Sequence, residues 1–194
     1  MDIYLKPTPT LDCDNPKIVA AAMTIAGDAS SDEEKARRCF FWVRDFVSHT
    51  SDFPNPIVTC TASDVLEHRT GFCYAKSHLL VALLRAIKIP AGLCYQRLAL
   101  DSDGSQFFLH GLVSVFLTQH GWYRIDPRGD KEGISSGFDP PQEILPWNPM
   151  IEGEENLDGV FPDAMECVIS TLHRYERSDD VRANLPDRPL QAEQ

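Results

Sequence analysis

The chain has 194 residues, of which 43% are hydrophobic and 24% charged. That is the usage of an ordinary folded domain, which excludes wholesale disorder and allows a real core without staples. Eighteen lysines and arginines against 29 aspartates and glutamates leave a formal net charge of −11, a field that repels phosphate at long range, so neither nucleic acid nor an anionic membrane is an expected partner.

The start, Met1-Asp2-Ile3-Tyr4-Leu5-Lys6-Pro7, has no basic segment followed by an apolar one, and the stretch Leu79 to Ile87 is broken by Arg85 and too short to span a bilayer. A cytoplasmic protein is expected. Cys13, Cys39, Cys60, Cys73, Cys94 and Cys167 include no CxxC pair, which argues against a zinc ribbon or a thioredoxin motif. In a reducing compartment they are expected to be free thiols packed as small hydrophobes.

Residues 1–15 read as an extended lead-in, and Asn15-Pro16 starts a short helix through Ile18, Val19, Ala22 and Met23. Ser30 or Ser31 can cap the next helix, with Asp32, Glu33 and Glu34 in its first turn and Ala36, Cys39, Phe40, Val43 and Val47 on one face. A proline-punctuated loop covers 49–62, and Ser63 is expected to cap a short helical turn from Asp64 to His68. From Phe72 to Ile87 the period is helical again, and Pro90 ends it.

Three strand-like runs follow: Gly92 to Leu100, Phe107 to Leu117, and Trp122 to Ile125. The short polar turns between them predict an antiparallel meander with a helix laid on it, an α+β arrangement. After Asp126-Pro127 the chain turns rich in glycine and proline, and the stretch 127–160 is expected to shape a cleft. A last helix runs from Pro162 or Asp163 to about Arg177, and the polar segment from Ser178 reads as a mobile tail. One domain over 1–177 is expected, with its core at about 63–130 and a tail at 178–194.

Cys73 is the one cysteine at a helix start, where first-turn amides favour a thiolate. His110 lies early in the second strand run and Asp126 ends the third, sixteen residues on. Because that separation is even, a hairpin register with an even residue sum puts both on one face of the sheet. An imidazole so placed can take the thiol proton while the carboxylate holds its other nitrogen.

Other polar groups carry less. His49, His68, His78, His120 and His173 have no partnering pattern, and Tyr74 and Gln96 read as core or sheet-surface residues. Lys76 and Arg85 read as surface charges on the helix flank. Glu152-Gly153-Glu154-Glu155-Asn156 lacks the alternating ligands of a calcium loop and reads as a solvated acidic loop.

Four stretches together resemble the transglutaminase-like superfamily: Thr70-Gly71-Phe72-Cys73-Tyr74-Ala75-Lys76-Ser77-His78, Leu83 through Gly92 (LLRAIKIPAG), His110 through Leu117 (HGLVSVFL), and Gly121-Trp122-Tyr123-Arg124-Ile125-Asp126-Pro127. The resemblance implies a papain-like α+β core in which N-terminal helices and the cysteine-bearing helix pack on an antiparallel sheet. It implies Cys73 as nucleophile, His110 as general base and then acid, and Asp126 as the orienting carboxylate. The implied activity is acyl transfer on peptide or amide bonds through an acyl-thioester, hydrolytic by preference, with transglutamination as the amine-dependent variant. No metal or organic cofactor is implied.

Two positions depart from the pattern. Glu67 and His68 stand where papain-type enzymes carry an oxyanion-hole glutamine, so the donor beyond the Cys73 amide is not identified, and Gly111 stands where many relatives carry alanine. The alternatives are a peptide-binding module that keeps the fold without turnover, and an acyltransferase similar to arylamine N-acetyltransferases. The Arg-Gly-Gly-x-Cys motif of those acyltransferases is not matched by Arg69-Thr70-Gly71-Phe72-Cys73.

Overall fold

After a single-turn helix at Asp2–Leu5, three helices precede the one that carries Cys73: α1 (Pro16–Ala26), α2 (Asp32–Phe46) and α3 (Ala62–His68), then α4 (Cys73–Ala86). The computed structural model describes residues 1–101 and 103–187. Asn15 accepts from the Lys17 amide to start α1, as read from the sequence, and of the two serines offered there it is Ser31 that accepts from the Glu34 amide to start α2. The cap of α3 is Thr61 rather than Ser63: its hydroxyl accepts from the Asp64 amide while the Asp64 carboxylate accepts from the Thr61 amide, a reciprocal capping box.

Four strands follow, β3 (Ala91–Ala99), β4 (Phe107–Leu117), β5 (Gly121–Ile125) and the two-residue β6 (Glu155–Asn156), in the antiparallel order β5-β4-β3-β6. A separate parallel pair, β1 (Ser48–His49) on β2 (Thr70–Gly71), ties the loop after α2 to the start of α4. Helices α5 (Glu166–Arg174) and α6 (Ser178–Ala183) close the described chain. Among the described residues no helix is long and apolar enough to cross a membrane.

The register pairs Gln96 with His110 and Ser114 with Arg124, so even-numbered residues of the three long strands share one face. The odd-numbered face carries Leu93, Tyr95, Leu109, Val113, Val115, Tyr123 and Ile125 into the core, where α4 packs. With α1, α2 and α3 against its other sides, α4 is buried at every position from Cys73 to Arg85. Truncating Leu79 or Leu83, both fully buried, is expected to cost about 2–5 kcal/mol.

That sandwich corrects the reading of Lys76 and Arg85 as surface charges: both are completely buried. Helical period alone shows a flank, but here the flank faces another layer. Arg85 is satisfied by the carbonyls of Lys6 (2.7 Å), Ala91 (2.9 Å) and Pro162 (2.7 Å). Lys76 donates to the carbonyls of Val47 and Arg44.

Two further expectations are corrected. The acidic loop at 152–156 is not merely solvated: Glu155 and Asn156 pair with Arg97 and Gln96, and the Glu154 carboxylate accepts from the amides of Ala99, Met150 and Ile151. The segment from Ser178 is polar, yet up to Asp187 it is docked. Val181 is fully buried, Ser178 donates to Pro56 and Asn55, the Pro186 carbonyl accepts from the Leu109 amide at 2.8 Å, and Asp187 pairs with Arg97. The rest of the expected tail, 188–194, lies outside the described residues.

Candidate active site

Cys73 is the first residue of α4, whose N-cap Phe72 makes no side-chain capping bond. The first-turn amides of the helix have no acceptor within it. The helix is held directly against β4 because residue 111 has no side chain: a Cβ there would lie 3.0 Å from Tyr74 Cδ1 and 3.2 Å from Tyr74 Cα. The Tyr74 hydroxyl donates to the Leu109 carbonyl, and the Ser77 hydroxyl donates to the Gly111 carbonyl at 3.1 Å. Both bonds fix the start of the helix at the level of His110.

His110 on β4 and Asp126, one residue past the end of β5, supply the other two groups. His110 Nε2–H donates to Asp126 Oδ2 at 2.6 Å, and Asp126 Oδ1 accepts the Arg128 amide at 2.8 Å. Cys73 lines the same cleft as this imidazole and is near enough to act on its charge; since Nε2 is taken by Asp126, Nδ1 is the nitrogen left for a thiol proton. All three side chains are buried, with exposures of 5% for Cys73, 2% for His110 and 1% for Asp126.

Burial alone would push the His110 imidazole down. The charges of Asp126 and Cys73 and the hydrogen bond to Asp126 outweigh it and raise the pKa to about 10. The imidazole thus holds its proton at neutral pH. Trp147 from the 127–160 stretch covers it edge to face, ring centres 4.8 Å apart. The Trp147 carbonyl accepts from Gln96 Nε2 at 3.1 Å, so the residue opposite His110 on β3 holds the indole.

Cys73 and His110 open on a cleft of about 370 Å³ lined also by Phe72, Tyr74, Leu100, Phe108, Leu185 and Arg182, with Asp126 behind the imidazole. Its wall is mostly apolar, with a few polar groups converging on the sulfur, the make-up of a small-molecule or peptide side-chain pocket. The remaining wall is His49, Ser51, Arg128 and Trp147. Arg128 grips Asp52 at 2.6 and 3.0 Å, and Lys131 reaches the same carboxylate at 2.8 Å. Burial would raise the Asp52 carboxyl, but these bonds and the charge of Arg128 bring it to about 2. Among the described residues no group of three or more histidine, cysteine or carboxylate side chains is placed to hold a metal ion.

Cys73, His110 and Asp126, chosen from the sequence, are thus brought together. His49, Arg128, Trp147, Arg182 and Leu185 were missed. Trp147 carried a signal, a large aromatic among Pro146 and Pro149 in the stretch expected to shape a cleft. The others reach the site only through tertiary packing.

A helix-borne cysteine facing a histidine–carboxylate pair on an antiparallel sheet defines a protein of the papain-like, transglutaminase-like class. The chain belongs to the transglutaminase-like superfamily, whose core family model matches residues 19–127, more than half of its length. Among solved structures it is similar to a candidate cysteine protease from Cytophaga hutchinsonii, at 24% identity and a TM-score of 0.52 over 64% of this chain and 40% of that one. It is also similar to the periplasmic domain of TgpA from Pseudomonas aeruginosa (20% identity, TM-score 0.49, 64% of this chain and 46% of that one). A third similar structure is red sea bream transglutaminase (16% identity, TM-score 0.40, 66% of this chain and 26% of that one). The chain therefore spans less than half of each of these structures. No curated protein sequence matches it.

Proposed function

We propose that the chain is a cysteine-dependent acyl-transfer enzyme acting on peptide or amide bonds. The observation that carries the reading is the His110 imidazole bonded to Asp126 at 2.6 Å and lining one cleft with Cys73 at the start of α4. The Cys73 thiolate attacks the carbonyl carbon, and the electron pair moves onto the carbonyl oxygen. His110 gives its proton to the leaving amine as the tetrahedral intermediate collapses to a thioester. Water, deprotonated by His110, then releases the acid and the thiol. Asp126 holds the ring and balances the imidazolium charge.

Hydrolysis is the first reading, and transfer to a primary amine is the same chemistry with another acceptor. The test is a panel of short peptide amides with and without a fluorescent alkylamine, read by mass spectrometry. Release of free acid supports hydrolysis, incorporation of the amine supports transamidation, and both must vanish in Cys73→Ala. Tight peptide binding with neither product would make the chain a binding module instead.

A cytoplasmic placement belongs to the same reading. Its support is that all six cysteines are unpaired and five of them are buried as small hydrophobes, the state expected in a reducing compartment. Cell fractionation tests it.

A further inference from the structure

We propose that His49 is a further catalytic residue, the side-chain donor that works with the Cys73 amide to hold the oxyanion. The assignment rests on the acyl-transfer reading above and adds to it the donor that no sequence motif supplied.

His49 is placed by the parallel pairing of β1 and β2, where it stands opposite Gly71, two residues before Cys73. Its ring lies edge to face with Phe72, centres 6.3 Å apart, and lines the same cleft as Cys73 and His110. The Ser51 amide donates to His49 Nδ1 at 3.2 Å. A backbone N–H cannot accept, so Nδ1 carries no proton and the neutral ring must carry its proton on Nε2. Among the described residues no protein group is bonded to that Nε2–H. The atom is open to the cleft, where water or substrate is what it can bond.

The charges around the ring keep it neutral. Burial, Arg128, Lys76 and His110 push the imidazole well below the usual histidine value, and Asp52 pulls the other way. Asp52 Oδ2 is 3.8 Å from Nδ1, beyond a hydrogen bond, and its carboxylate is engaged by Arg128 and Lys131. A neutral donor in a half-dry cleft suits an oxyanion: it bonds the oxygen as the electron pair arrives and keeps its own proton, so the intermediate collapses with the C=O bond reformed. The Cys73 amide, at the uncapped start of α4, supplies the second bond.

The test compares wild type, His49→Ala, His49→Gln and Cys73→Ala with p-nitrophenyl acetate in single turnover, beside alkylation by iodoacetamide. Alkylation is a displacement at carbon that forms no oxyanion. Acylation of His49→Ala is expected to fall roughly 10²–10³-fold, with KM and the alkylation rate within about threefold of wild type and an unchanged thermal melt. His49→Gln, which keeps an N–H donor, recovers at least tenfold over the alanine variant. Acylation of His49→Ala within threefold of wild type overturns the proposal while the acyl-transfer reading stands. A parallel loss of alkylation also overturns it, since His49 would then act by placing Cys73 or His110. A wild type that forms no acetyl-enzyme at Cys73 overturns both.

Discussion

The indole of Trp147 stands edge-on to the imidazole of His110, ring centres 4.8 Å apart and planes at 75°. It shields the bond between His110 and Asp126 from water, and a shielded bond is the stronger one electrostatically. Removing the ring in Trp147→Ala admits water and weakens the pull of Asp126 and Cys73, which outweighs burial at His110. The pKa of His110 is expected to move from about 10 toward 6.5, followed by NMR titration of the ring. An edge-to-face pair is worth about 0.5–1.5 kcal/mol, so turnover falls up to roughly tenfold.

Asp126→Asn keeps an acceptor for the Arg128 amide but removes the charge that holds the imidazolium. Turnover is expected to drop about 10²–10⁴-fold. The stability profile changes too. A histidine whose pKa rises on folding stabilises the fold fully below its unfolded value of 6.5 and loses that contribution as pH climbs through about 10. Denaturant midpoints measured between those pH values should decline less in Asp126→Asn than in the wild type.

Lys76 acts in the opposite sense. Burial lowers its amine from 10.5 to about 7, against the weaker pull of Asp126 and with a push from Arg128. Between those values the unfolded chain binds a proton that the folded chain does not, so this group adds stability as pH rises. In the wild type the two trends oppose each other above neutrality. Lys76→Met removes one of them: its stability relative to wild type should be greatest below pH 7 and shrink toward pH 10.5, by melts at several pH values.

Gly111 is where the helix touches the strand. A Cβ would sit 3.0 Å from one Tyr74 side-chain atom and 3.4 Å from its backbone nitrogen, so Gly111→Val must push the start of α4 away. A cost of about 1–3 kcal/mol is expected from overpacking, together with a loss of activity larger than unfolding explains, because Cys73 moves off His110. Turnover per folded molecule, at a temperature well below the melt, checks it.

Much of this arrangement was readable before any coordinates. The strand run Phe107 to Leu117 and the start of α2 after Ser31 were read as they stand, because alternation and N-capping are local. Parity allowed His110 and Asp126 to share a face only in a register with an even sum; β4 and β5 adopt such a register, with Asp126 one residue past the strand end. Lys76, Arg85 and the docked α6 were not legible, because their burial depends on layers that residues far away supply. His49 shows the same limit: two strand residues carry it to the cleft, and its partner in that pairing, Gly71, is 22 residues on.

The most direct test of the account is which cysteine reacts. Exposure does not single out Cys73, which at 5% is matched by Cys13 at 5% and Cys60 and Cys94 at 4%. Burial instead pushes Cys39 and Cys60 up to about 12 and Cys94 to about 11, and raises Cys13 and Cys167 as well. Of the six, Cys73 is the one that shares a cleft with the His110 imidazole. Iodoacetamide at pH 7, with sites located by mass spectrometry, should label Cys73 at least tenfold faster than any other cysteine, and His110→Ala should erase the difference. Slow, equal labelling of all six thiols, unaltered in His110→Ala, would contradict it.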